Sequence, residues 1–239
     1  MLFRPLTQLE PATMPESWQE LKDGEWLFTQ MAQQLAPWWP RLYGYYLVKL
    51  GPLAGAFDTS AARTHRQWQL GPGGSVCCHG PELPLKSNSV DILLMAHNLE
   101  YSTDPHQLMR EAQRVLVEGG HLVLTGFSPL SLLRLCSLWR QAAPFDGHYY
   151  HPMRVSDWLA LLGFEVIADQ RLLYGPLSRH SPQWLERLGS RFGRFAAGSY
   201  VLVAVKRAIP MTPVSLKRRP ARVLAKPVAG AISGRWGEY

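Results

Sequence analysis

At 239 residues and 46% hydrophobic content, the chain holds enough apolar material for one domain plus extensions, which excludes wholesale disorder. No apolar run approaches about 18 residues, and prolines and acids break the start, so neither a membrane-spanning helix nor a secretory signal is expected. The net charge of +7 belongs to Lys206–Tyr239, where eight basic residues face only Glu238; residues 1–205 are near neutral, which excludes a uniformly basic body.

Residues 16–41 carry Trp18, Leu21, Trp26, Leu27, Met31 and Leu35 at three-to-five spacings and read as helix, stopped by Pro37. Tyr45–Leu50 reads as a buried strand ended by Gly51-Pro52. Two weaker strands follow, Gln67–Leu70 and Ser75–His79, joined by Gly-Pro-Gly-Gly in the manner of a short loop. Ser89–Met95 is too apolar for a half-exposed strand and predicts a central strand of a parallel sheet. Asp104, Pro105 and Gln107 supply a cap, an N1 proline and a capping-box partner. The helix they start presents Leu108, Ala112, Val115 and Leu116 on one face and is expected to end at Gly119-Gly120. With the strand His121–Leu124 this makes a βαβ unit. An apolar helix is predicted over Leu130–Trp139, then a loop with Tyr149 and Tyr150, a helix over Val155–Leu162, a strand from Phe164 to Ala168 and a last strand, Tyr200–Val205.

These elements set an N-terminal extension (1–15), a domain (16–206) and a basic, proline-bearing tail (207–239) expected to be disordered, with weak attraction to RNA or an anionic surface. Cys77, Cys78 and Cys136 are too few for a disulfide framework, so a reducing cytoplasm is the expected compartment. Cys77 and His79 share a strand face, but no second ligand pair accompanies them, so no metal is expected. No P-loop pattern occurs.

Four segments resemble, in order, the type 11 class I S-adenosylmethionine-dependent methyltransferases: Leu83-Pro84-Leu85 with Ser89-Val90-Asp91; Asp104-Pro105 with Glu111, Arg114-Val115-Leu116 and Gly119-Gly120; Leu161–Val166; and Tyr200–Lys206. Trp38-Trp39, Leu42-Tyr43-Gly44 and Leu47–Gly51 make the whole similar to the YafS-type bacterial methyltransferase-like proteins. The resemblance implies an α/β, Rossmann-like, mostly parallel sheet with helices on both faces and an antiparallel last strand. It implies S-adenosylmethionine bound across the carboxyl ends of the strands, at Gly51, Gly55, Asp58, His79, Gly80 and Ala96, and methylation of a small-molecule acceptor. His97, after the fourth strand of the family, would be the base for the acceptor's proton; the other reading is a histidine bonded within its loop. His79 lies either on the adenine rim or at a plain strand end.

Two departures stand against this. In the glycine-rich turn Lys49 replaces an acid and Leu53 the middle glycine, which narrows the backbone's approach to a ligand. Only 24 residues separate Leu50 from Ser75, too few for two crossovers at about a dozen residues or more each and a strand, so the first half of the sheet is shortened. Three readings follow. An enzyme predicts an open cleft above Gly51, His79 and His97; a catalytically inactive binding or regulatory protein predicts that Leu53 and the shortened segment fill it; an RNA-associated module predicts salt-sensitive binding that needs the tail.

Overall fold

The computed structural model describes residues 14–21, 23–76, 82–129, 147–172 and 197–207, all within the first of two units, Met1–Ile209. Six strands, β1 (Tyr43–Leu50), β2 (Arg63–Leu70), β3 (Val90–Ala96), β4 (Leu116–Phe127), β5 (Phe164–Leu172) and β6 (Ser199–Lys206), form one sheet in the order β2-β1-β3-β4-β6-β5. The first four are parallel, and β6 inserts antiparallel between β4 and β5. The expected α/β architecture with its antiparallel closing strand is thus present.

The apolar run that predicted a central strand is β3, with Ile92 to Ala96 fully buried between two layers of side chains. One layer is made by α1 (Gly24–Leu35), the other by α4 (Pro105–Val115) and α5 (Pro152–Leu161). Between α1 and α4 lie two single-turn helices, α2 (Pro52–Gly55) and α3 (Asn98–Tyr101).

Asp104 caps α4 as the sequence predicts, accepting from the Gln107 N–H at 2.8 Å with Pro105 at N1. The Gln107 side chain accepts from Arg110 Nε instead of reaching back to the cap. Three predicted boundaries are corrected. The helix expected over 16–41 is broken at Asp23, whose left-handed backbone (φ 54°) separates a 3-10 turn at Trp18–Glu20 from α1. Helix α4 ends at Val115, because Leu116 already pairs with Val90; Gly119 (φ +79°) and Gly120 sit in an irregularity of β4 before His121 pairs with Ile92. β2 starts at Arg63, not Gln67, so the connection from β1 shrinks to residues 51–62 with the one-turn α2 inside it. After β2 the second strand is reduced, among the described residues, to a single parallel bridge between Leu70 and Val76. The helix predicted at Leu130–Trp139 and the strand positions Cys77–His79 lie outside the described residues, as does the tail beyond Arg207.

Candidate functional site

The carboxyl ends of β1, β3 and β4 meet at Gly51, His97 and Ser128. Gly51 has φ 82° and ψ 169°, a backbone state open to glycine alone, and its N–H donates to the Leu70 carbonyl at 2.7 Å. A Cβ on Gly51 would come within 2.8 Å of both Asn98 Nδ2 and Met14 Cε, and a Cβ on Gly71 (φ +117°) would stand 3.2 Å from the Gly51 Cα. Two glycines therefore abut at the ends of β1 and β2, with the N-terminal segment laid over the first.

The residues that depart from the family turn avoid this point. Leu53 is wholly buried against Trp18, Ala54 and Phe57, and its carbonyl accepts from Trp18 Nε1 at 2.9 Å. The single turn of α2 makes it a core residue, not an obstruction. Lys49 is half-buried and donates to the Phe57 carbonyl at 2.6 Å; burial lowers its pKa and Asp58 partly offsets that. Gly55 packs on Gln69, whose amide would lie 2.5 Å from an added Cβ. Asp58 is exposed and accepts from the Ser60 N–H at 2.9 Å, the bond that lowers its pKa. It precedes β2; the carboxyl end of that strand is Gln69-Leu70-Gly71, with no acid. The structure thus brings Gly51, Ala96 and His97 to the ends of neighbouring strands, while Gly55 ends the turn of α2 against Gln69 and Asp58 bonds Ser60 before β2. His79 and Gly80 lie outside the described residues.

His97 follows the fully buried Ala96 and is itself 0% exposed. Its N–H donates to the Thr125 carbonyl at 3.1 Å, and its left-handed backbone (φ 57°) turns the chain into α3. The ring stacks on Phe127 at 4.1 Å between centroids and meets the edge of Trp18 at 5.5 Å. Nδ1 lies 3.3 Å from Glu100 Oε1, an oxygen that also accepts from the Phe127 N–H at 2.6 Å. With its hydrogen on Nδ1 the ring donates to Glu100 Oε1, which leaves Nε2, buried and without a protein partner, as the acceptor.

Around this pair, buried polar atoms lack a protein partner: His97 Nε2, Asn98 Oδ1, Glu100 Oε2, Thr125 Oγ1, Ser128 Oγ and Tyr200 Oη. Each is a group whose desolvation costs about 1–3 kcal/mol when unmade. Tyr200 lies close to Glu100, since a Cβ on Gly126 would meet Tyr200 Oη at 2.4 Å and Glu100 Oε1 at 3.0 Å. Burial first, then the Glu100 charge, raises the Tyr200 pKa well above its ordinary value, so the phenol remains a donor. Sequence reasoning missed Glu100, Thr125, Ser128 and Tyr200. The usable signal was Glu100, an acid among the apolar residues that follow β3.

The set fits part of a cationic sulfonium amino acid: Asn98 Oδ1 and Glu100 Oε2 are acceptors, while the space over Gly51 is taken by Met14 and Asn98. Among the described residues it offers no carboxylate for a ribose at the end of β2. Tyr149 packs on Phe127 and Tyr150 on Trp158, so the loop bearing them is tied into the body. Among the described residues no cluster of His, Cys, Asp or Glu could hold a metal, and no helix is long and apolar enough to cross a membrane.

A mostly parallel sheet in this order, with an antiparallel strand in the penultimate position, is a methyltransferase scaffold, and the chain belongs to the family of the YafS-type methyltransferase-like proteins. Residues 41–124 match the model of the methyltransferase domain. Over 235 residues the chain is 32% identical to the uncharacterized protein YafS of Escherichia coli, covering 96% of each. It also superposes on an S-adenosylmethionine-dependent methyltransferase of Archaeoglobus fulgidus (TM-score 0.52, 14% identity, 75% of this chain and 94% of that one). A Thermotoga maritima S-adenosylmethionine-dependent methyltransferase, described as a possible histamine N-methyltransferase, gives 0.51 at 20% identity, over 76% and 99%. These two likenesses concern the fold.

Proposed function

We propose that the protein binds S-adenosylmethionine at the carboxyl ends of β1 and β3 and methylates a small-molecule acceptor, with His97 as the base. The observation that carries this is the group of buried, partnerless polar atoms around His97 and Glu100, which only a polar ligand or ordered water would satisfy. When bound, S-adenosylmethionine supplies an activated methyl group whose leaving group is already positively charged. The chain's part is positioning and proton transfer. Gly51 and Ala96 admit the ligand to backbone, Asn98 and Glu100 accept from its cationic end, and Glu100 holds His97 with Nε2 free for the acceptor's proton. Complete burial of His97 behind Trp18 and Phe127 favours a small acceptor.

Met14 and Asn98 occupy the space above Gly51, so binding requires the N-terminal segment to give way. That contact, with the missing carboxylate at the end of β2, favours the second reading, a binding or regulatory protein without turnover. Calorimetric titration with S-adenosylmethionine and S-adenosylhomocysteine separates the two. Micromolar binding that is lost in Gly51→Val, with the variant's melting temperature measured alongside, supports the enzyme. Absence of heat and of thermal stabilisation at millimolar ligand sinks the cofactor assignment.

A further inference from the structure

At the opposite edge of the sheet β1 and β2 carry a feature that methyl transfer does not use. Tyr43 is 71% exposed, Tyr45 51% and Trp68 41%, large rings that proteins seldom leave in water together. Trp68 and Tyr45 belong to a continuous row: Trp68 to Tyr46 at 5.2 Å between centroids, Tyr46 to Tyr45 at 4.6 Å, Tyr45 to His65 at 4.8 Å. Arg63 and Arg66 are exposed on the same strand as His65 and Trp68, and the exposed Arg41 precedes β1. Neither strand contains an acid. The carboxylate beneath them, Asp91, is engaged through Oδ2 by the N–H groups of Tyr45 and Tyr46, at 2.9 and 2.8 Å.

The strand pairing accounts for the exposure. β2 is the outermost strand, and among the described residues its outer edge meets only the bridge from Leu70 to Val76. An edge left open is commonly defended by lysines, prolines or bulges; this one presents rings interleaved with arginines. Arg207 also lies at this end of the sheet. Val205 pairs with His121, whose ring is 6.5 Å from that of Tyr43, and Arg207 follows two residues later.

We propose that the ring row Trp68, Tyr46, Tyr45 and His65, with the exposed Arg66 beside it, is a stacking surface for single-stranded nucleic acid. Rings offer their faces to any unpaired base, and the arginines neutralise the phosphates between. A paired duplex hides its base faces, so the chemistry selects single strands. This surface is independent of the cofactor site, which lies at the carboxyl ends of β1, β3 and β4.

The test is fluorescence anisotropy of a labelled short oligouridine with the full-length protein, across about 50 to 200 mM salt. Tyr45→Ala and Trp68→Ala should each weaken binding about tenfold, the scale of one lost stack, while Arg66→Gln should reduce the salt slope by about one. A hairpin duplex of the same length should bind far more weakly. Equal binding of oligothymidine supports a surface blind to the sugar, and tighter oligouridine supports RNA as the occupant. Melting curves check each variant, and Trp68→Ala with Arg66→Gln suffices if Tyr45→Ala is unfolded. Ring variants that bind like the wild type, while neutralising Lys217, Arg218 and Arg219 to Gln abolishes binding, would overturn the proposal. So would equal affinity for the duplex, or no binding at all.

Discussion

The two halves of the sheet are built to different standards. From β3 to β5, β3 is buried at all but one position, the connection from β3 to β4 contains a properly capped helix, and the inserted β6 is buried at every position. On the other side, a 12-residue connection holds one helical turn, and most of β2 is exposed. The order and direction of the strands survive across both. The shortened half costs the fold little, because the core is closed by β3, β4 and β6, but it removes the chemistry expected at the end of β2. The same shortening buries Leu53 and bares the ring-bearing edge.

If the core does reside in the β3 half, the largest loss of stability comes from a cavity there. Leu94→Ala, at a fully buried position of β3, should cost about 3–4 kcal/mol. Urea denaturation would show it as a lower midpoint at unchanged slope. A cost under about 1 kcal/mol would break the comparison, because such tolerance belongs to surface positions.

The next effect tests how that half is tied together. Arg114 donates from Nε and Nη2 to both Glu111 oxygens at 2.8 Å, and from Nη1 and Nη2 to the carbonyls of Leu85 and Leu83. The Leu83 N–H returns a bond to Glu111 Oε2 at 3.0 Å. Glu111→Leu should cost about 2–3 kcal/mol, since it strands the guanidinium and a buried amide. The Arg114 hydrogen bonds hold the Glu111 carboxyl below its ordinary value of 4.5, so the folded form takes up this proton less readily than the unfolded one. Its contribution is therefore complete above that ordinary value and drains away as pH falls through the lower, folded one. In Glu111→Leu that portion of the acid-side loss should be missing from a stability profile; an unchanged profile refutes the assignment.

This fork explains why so much of the β3 half was legible. Leu83-Pro84-Leu85, Glu111 and Arg114 read in sequence as separate fragments of one resemblance, and in space they are a single hydrogen-bonded unit. The cap at Asp104 and the apolar run of β3 were legible because each is a local pattern with one physical meaning. The candidate site was not. Thr125 and Tyr200 lie far from His97 in the chain, and only strand pairing brings them near; Glu100 is three residues away, but the single turn that aims it at the ring leaves no periodic signal. Leu53 was misread as an obstruction because its direction depends on α2, a turn too short to leave a periodic signal. The beginning of β2 was missed for the opposite reason: Arg63, His65 and Arg66 are polar on both faces, so alternation gives no sign of a strand.

A local change should stay local. Asp104→Ala removes the bond to the Gln107 N–H and should cost about 1 kcal/mol, the ordinary worth of an N-cap, measured by thermal melting. The smallest effect belongs to the open edge. Trp68 contacts Tyr46 across 5.2 Å, but 41% of it faces solvent and it belongs to neither buried cluster. Trp68→Ala should therefore shift stability by at most about 0.5 kcal/mol. Measured beside Leu94→Ala under the same conditions, it sets the contrast between the halves on one scale. If the two losses prove similar, the ring row is part of the core and its exposure needs no ligand. If Trp68→Ala is silent in stability and costly in nucleic-acid binding, the indole is retained for what it touches outside the protein.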